Sequence, residues 1–165
     1  MAEKTLEEIK ADILHRAGRI NPFERVKLED VQQVVSRLSD FEPDPWGKQW
    51  GKLGLKYESL AEEQEKQGRS KEAGETYYLA YEYFRIGRYP VPSSPEKIKC
   101  YKGALRTFLK AAPTMKPPLE RVEIPFEGKK VIGYLQIPEG ADRPPIVMHW
   151  GGVDGWKEDR RSNSD

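Results

Sequence analysis

The sequence predicts an α/β chain in which five helices come first and three strands follow. Three observations carry this. Up to about residue 112, apolar residues recur at the three-and-four spacing of a helix face. Beyond residue 113, prolines and short β-branched runs replace that period with a period of two. Near the end, "VMHWGGVDGWKED" (147–159) carries an apolar run straight into paired glycines.

The first helix is predicted to begin at Thr5, because Thr5 and Glu8 have the spacing of a capping box. Leu6, Ile9, Ile13 and Leu14 mark its face, and Gly18 is its stop. A second helix carries Leu28, Val31, Val34, Val35 and Leu38, and "DFEPDP" ends it. The third runs from about Pro45 to Gln67, with Trp46, Trp50, Leu53, Tyr57 and Leu60 on one face. Gly51 and Gly54 inside it each cost about 1 kcal/mol relative to alanine, unless they serve close helix contact.

The fourth helix, about Ser70 to Ile86, carries Ala73, Tyr77, Ala80, Tyr81 and Phe84. After "RYPVPSSPEK", Ser94 and Pro95 have the chemistry of an N-cap and first turn. The fifth helix follows to about Ala112, with Ile98, Tyr101, Leu105, Phe108 and Leu109. Residues 113–119, "PTMKPPL", are a linker between a helical domain (1–112) and a strand region (120–165). "LERVEIPFEG" and "KKVIGYLQIPEG" form a hairpin joined at Glu127–Gly128, with Val122 and Ile124 on one face. "IVMHW" reads as a buried third strand.

Composition narrows the function classes. A formal net charge of +1 gives no field for nucleic acid or an anionic membrane. No segment approaches the roughly 20 apolar residues of a membrane span, and no signal peptide opens the chain, so a cytoplasmic location is expected. One cysteine, Cys100, makes no internal disulfide, and two histidines with it make no usual zinc site. The spacings of a dinucleotide fingerprint and of a phosphate loop are absent.

The glycine loop has two readings. Glycines after a strand let backbone N–H groups approach a ligand closely and stabilise charge on a carbonyl oxygen. They also make an ordinary tight turn. His149 reads as a base or as a structural histidine on a buried strand, and His15 as a solvated one. Asp154, Glu158 and Asp159, beside Lys157, Arg160 and Arg161, read as substrate-orienting groups or as a solvated face. Cys100 reads as a helix-face residue. "GRSKEAGETYYLAYEYFRIG" resembles a tetratricopeptide helix, without a second copy at the 34-residue period.

The order "EAGETYYLAYEYFRIGRYPVP", "KIKCYKGALRTFLKA" and "ERVEIPFEGKKVIGYLQIPEGADRPPIVMHWGGVDGWKED" resembles the N-terminal part of an α/β-hydrolase. The subgroup is prolyl-oligopeptidase-like, that of dihydroxypseudooxynicotine hydrolase and the fermentation-respiration switch esterases. The resemblance implies a helical cap followed by the first three strands of the hydrolase sheet. It implies that Gly152 and Val153 donate backbone N–H groups to an oxyanion hole, with Gly151 and Asp154 supporting the loop. It implies a small ester or ketone substrate against Trp50, Tyr57, Tyr77 and Tyr81, no cofactor, no metal, no nucleic-acid or membrane partner, and room for a homodimer.

No G-x-S-x-G occurs in the sequence. The family's elbow, acid and histidine are therefore expected beyond Asp165, and the chain is expected to be inactive alone. It would be the first two-fifths of a hydrolase of roughly 400 residues. The competing expectation is a tetratricopeptide-like adaptor without catalysis.

Overall fold

A computed structural model describes residues 4–140, 142–151 and 155–159. Five helices are present: α1 (Leu6–Arg16), α2 (Leu28–Val35), α3 (Pro43–Lys66), α4 (Ser70–Arg88) and α5 (Pro95–Ala111). A 3-10 turn at Ala112–Thr114 leads to strands β1 (Leu119–Phe126) and β2 (Lys129–Gln136). A second 3-10 turn spans Lys157–Asp159.

Local chemistry sets the helix ends. Thr5 caps α1 with both halves of the capping box formed. Ser94 caps α5 by accepting from the Lys97 N–H, and Pro95 occupies its first turn. Asp44 of α3 adds to that cap, its carboxylate accepting the Glu96 N–H at 3.0 Å.

Helices α3, α4 and α5 pack side by side with alternating direction. At one end Trp46 Nε1 donates to the Ile86 carbonyl, and at the other the Tyr77 hydroxyl donates to Glu65. Helix α4 is central. Its Ala80, Tyr83 and Ile86 face a core shared with α1, α2 and Trp50, Leu53 and Tyr57 of α3. Its Ala73, Tyr77, Tyr81 and Phe84 face a second core shared with Cys100, Ala104 and Phe108 of α5. With core on two sides, α4 also buries Glu82, Arg85 and Arg88.

Glycines permit this closeness. A Cβ on Gly54 of α3 would lie 2.6 Å from the Phe84 ring, and one on Gly103 of α5 would lie 2.8 Å from it. The ring is clamped between two helix backbones. Of the two roles the sequence left to Gly54, close contact is the one realised.

β1 and β2 pair antiparallel, from Leu119 opposite Gln136 to Phe126 opposite Lys129. Glu127 and Gly128 both have positive φ, the conformation a two-residue hairpin turn requires.

Several expectations need correction. Ile146 to Trp150 form no strand and are exposed, Ile146 at 87%. A strand needs a neighbour to complete its ladder, and among the described residues the sheet has two strands only. Helix α2 ends at Val35, although Leu38 beyond it is still buried. Leu28, Leu60 and Ile98, placed on apolar faces by spacing, are exposed. Ala61 takes the core position next to Leu60, and α5 packs through the smaller Cys100, Ala104 and Thr107. Close helix packing favours small side chains over long ones.

Candidate functional site

The region that follows β2 is held by its far end. A Cβ on Gly151 would lie 2.5 Å from the Gly155 carbonyl oxygen, so the chain closes on itself between these two glycines. Only glycine tolerates that approach at position 151. Gly152, Val153 and Asp154, expected to give the oxyanion donors and their support, lie outside the described residues, as do Arg160 and Arg161.

After Gly155 the chain docks on the helices. The Arg88 guanidinium, at the last residue of α4, donates from Nη2 to both carboxylate oxygens of Asp159, at 2.8 and 3.0 Å. The Tyr81 hydroxyl donates to Asp159 Oδ1 at 2.7 Å. Asp159 Oδ2 also accepts the backbone N–H of Trp156 at 2.9 Å. The Trp156 ring lies against Arg88, 4.4 Å from guanidinium carbon to ring centre, and against Tyr101 at 4.8 Å.

A second tether runs to the hairpin. Glu158 is 2% exposed and accepts the Tyr134 hydroxyl at 2.8 Å, with Lys157 Nζ at 3.1 Å. Tyr134 in turn rests on Phe108 of α5, 5.1 Å between ring centres. Glu158 and Asp159 are therefore not a solvated face. Each accepts a hydrogen bond from a tyrosine hydroxyl whose deprotonation is strongly disfavoured. Burial pushes both Tyr81 and Tyr134 up, and the adjacent carboxylate adds to it.

The aromatic candidates from the sequence lie inside the helical cores. Trp50 is fully buried, in contact with Phe23, Trp46 and Tyr83. Tyr57 donates to Asp30 of α2, and Tyr77 to Glu65 of α3. Tyr81 is the one that touches the docked segment. His149 stands exposed outside any helix or strand, so it is not a buried structural histidine, and His15 is exposed on α1. Cys100 donates its S–H to the Gly47 carbonyl at 3.1 Å, and burial pushes its thiol up to about 12. A thiol so held is a poor nucleophile. Among the described residues no cluster of His, Cys, Asp or Glu would hold a metal ion, and no helix is long and apolar enough to cross a membrane.

Arg88 is the residue that reading the sequence missed. Its signal was present: Tyr77, Tyr81, Phe84 and Arg88 follow one another at spacings of four, three and four, which sets a cation on a core stripe. A cation there requires a buried anion opposite, and Asp159 supplies it.

Comparison with known proteins agrees with this architecture. Residues 15–163 match the profile of the family described as "Esterase FrsA-like". The chain is 26% identical over 149 residues to alpha/beta hydrolase psoB of Aspergillus fumigatus, covering 84% of this chain and 34% of that protein. It is 30% identical over 114 residues to 2,6-dihydropseudooxynicotine hydrolase of Paenarthrobacter nicotinovorans, covering 69% and 31%. The crystal structure of the 2,6-dihydroxy-pseudo-oxynicotine hydrolase superposes with a TM-score of 0.59 at 26% identity, over 71% of this chain and 32% of that one. The chain thus spans about a third of the length of these relatives. Its helices and hairpin are the helical region and first strands of an α/β-hydrolase, and the chain belongs to the FrsA-like esterase family.

Proposed function

We propose that this chain is the N-terminal part of a serine hydrolase that cleaves an ester, or a carbon–carbon bond beside a ketone. Its helices cover the substrate, and the backbone N–H groups of Gly152 and Val153 receive the oxyanion. The nucleophile, acid and histidine come from outside these 165 residues, so the chain alone is inactive. The observation that carries this reading is the anchoring of the glycine loop. Asp159 ties the chain just past Gly155 to Arg88 and Tyr81 of α4. Donors that stabilise a developing oxyanion have to be fixed before the reaction begins. A turn that merely reversed the chain would not need a buried ion pair at its foot.

The substrate-covering role is proposed for the helical surface beside the docked segment, where Tyr101 lies against Trp156. Trp50, Tyr57, Tyr77 and Tyr81, buried in the cores, would support that surface rather than form it.

The purified chain is expected to hydrolyse p-nitrophenyl acetate no faster than its heat-denatured control, and to leave a fluorophosphonate probe unreacted. Turnover or labelling that survives repurification would place a nucleophile inside the chain and overturn the assignment. In the enzyme that carries this chain, Val153→Pro deletes one N–H donor. The expected loss is about 10²–10³-fold in kcat with little change in KM. An unchanged kcat removes Val153 from the oxyanion hole. A folded chain for which no such enzyme exists would favour the adaptor reading instead.

A further inference from the structure

We propose that Arg88 is a positioning residue for the glycine loop, holding it through Asp159 and Trp156; this rests on the hydrolase reading above. Three features set Arg88 apart from a cation that merely stabilises a helix end. It is 2% exposed, at the last residue of α4, where the helix meets the docked segment. It engages two different groups of that segment: the Asp159 carboxylate, through two hydrogen bonds from Nη2, and the Trp156 ring, over which its Cζ lies. And Asp159 is itself bonded to the Trp156 N–H, so the guanidinium, the carboxylate and the indole form one closed unit.

The unit stands next to Gly155, whose carbonyl packs against Gly151. Fixing Trp156 and Asp159 therefore fixes the foot of the loop against α4. Upstream, Ile146 to Trp150 are exposed and outside any strand, so the helices offer the nearer support. Arginine suits the position because its planar group can donate to a carboxylate while also lying over an indole ring. A lysine ammonium is a point charge and keeps the attraction without that geometry.

Hydrogen exchange on the 165-residue chain tests the clasp directly. With Arg88→Met, exchange of the Trp156 and Asp159 amides is expected to rise about 10- to 100-fold, while amides of α3 and α4 near Trp50 and Tyr83 keep their protection. Asp159→Asn serves if Arg88→Met does not fold, since Asp159 sits at the periphery and its loss leaves the helical cores intact. It is expected to give the same local rise. Unchanged exchange at residues 155–159, or an equal loss of protection throughout, overturns the proposal.

The second measurement is kinetic, in the enzyme that carries this chain. Arg88→Met and Asp159→Asn are expected to lower kcat about tenfold or more with KM within about twofold, and Arg88→Lys to fall between them and the parent. An unaltered kcat overturns the positioning role. If the parent enzyme shows no ester or ketone cleavage, it is the hydrolase reading that fails, and the exchange experiment still decides the clasp.

Discussion

Replacing Asp30 with alanine is expected to lower the unfolding free energy by about 3–5 kcal/mol, the range for breaking a buried charged network by removing one partner. Asp30 is 4% exposed in the first turn of α2. Its Oδ2 accepts the hydroxyls of Tyr57 at 2.5 Å and Tyr83 at 2.6 Å, and Lys56 Nζ reaches Oδ1 at 3.3 Å. The Tyr83 oxygen also accepts the Lys27 N–H at the start of α2. One carboxylate thus joins α2 to both α3 and α4, and its loss strands two tyrosine hydroxyls away from water. Asp30→Asn keeps the volume and removes the charge, so it should fall between alanine and the parent. Urea unfolding of the three proteins measures this.

The same group gives a pH dependence of known sign. Burial pushes the Asp30 carboxyl up, but the hydrogen bonds from Tyr57 and Tyr83 and the Lys56 charge outweigh it and hold the carboxyl below its ordinary value. A depressed folded value means the native state prefers the ion. The stability contributed by Asp30 is therefore complete above the unfolded value of about 3.9 and is lost as pH falls through the folded value. Elsewhere Glu82 is pushed up by burial, which acts in the opposite direction. The difference between the parent and Asp30→Asn isolates the effect. It should stay constant near neutral pH and shrink below about pH 4. A difference that grows with acid would contradict the assignment.

Phe84→Ala should cost about 3–5 kcal/mol, measured in the same way. The ring is 3% exposed and lies between the backbones of α3 at Gly54 and α5 at Gly103. Helix backbones cannot collapse into the space the ring leaves, so the cavity persists, and the cost belongs at the upper end. The companion test is Gly54→Ala. In an exposed helix that change stabilises by about 1 kcal/mol. Here the new methyl meets the ring at 2.6 Å, and overpacking of about 1–3 kcal/mol opposes the gain. The expected result is net destabilisation. A net gain would show that the three helices are not in the close contact described.

The sequence revealed most where the signal was short in range. The Thr5 capping box, the Ser94–Pro95 start, the Glu127–Gly128 turn and the α4 stripe each depend on residues a few positions apart. The order of motifs from "EAGETYYLAYEYFRIGRYPVP" to "GGVDGWKED" also carried the family, because several modest motifs in one order are jointly specific. The third strand was not legible in the same way. "IVMHW" has the residues of a buried strand, but a strand exists only where a neighbour completes its hydrogen bonds. Among the residues of the glycine loop, Gly151 could be placed by its closure on Gly155.

By itself, the sequence determined where the helices and the hairpin lie, because capping, turn geometry and apolar period are written in neighbouring residues, and the order of its motifs carried the family resemblance. Only the tertiary structure decided what the charged residues do. Arg88 and Asp159 are 71 positions apart, and Asp30 and Tyr83 are 53 apart. The spacing of Tyr77, Tyr81, Phe84 and Arg88 sets one cation on a core stripe, but nothing in the local composition of "GWKED" distinguishes a solvated charge from a buried one. That distinction comes from the low-dielectric surroundings that packing creates, where a charge persists only if its partner is brought to it.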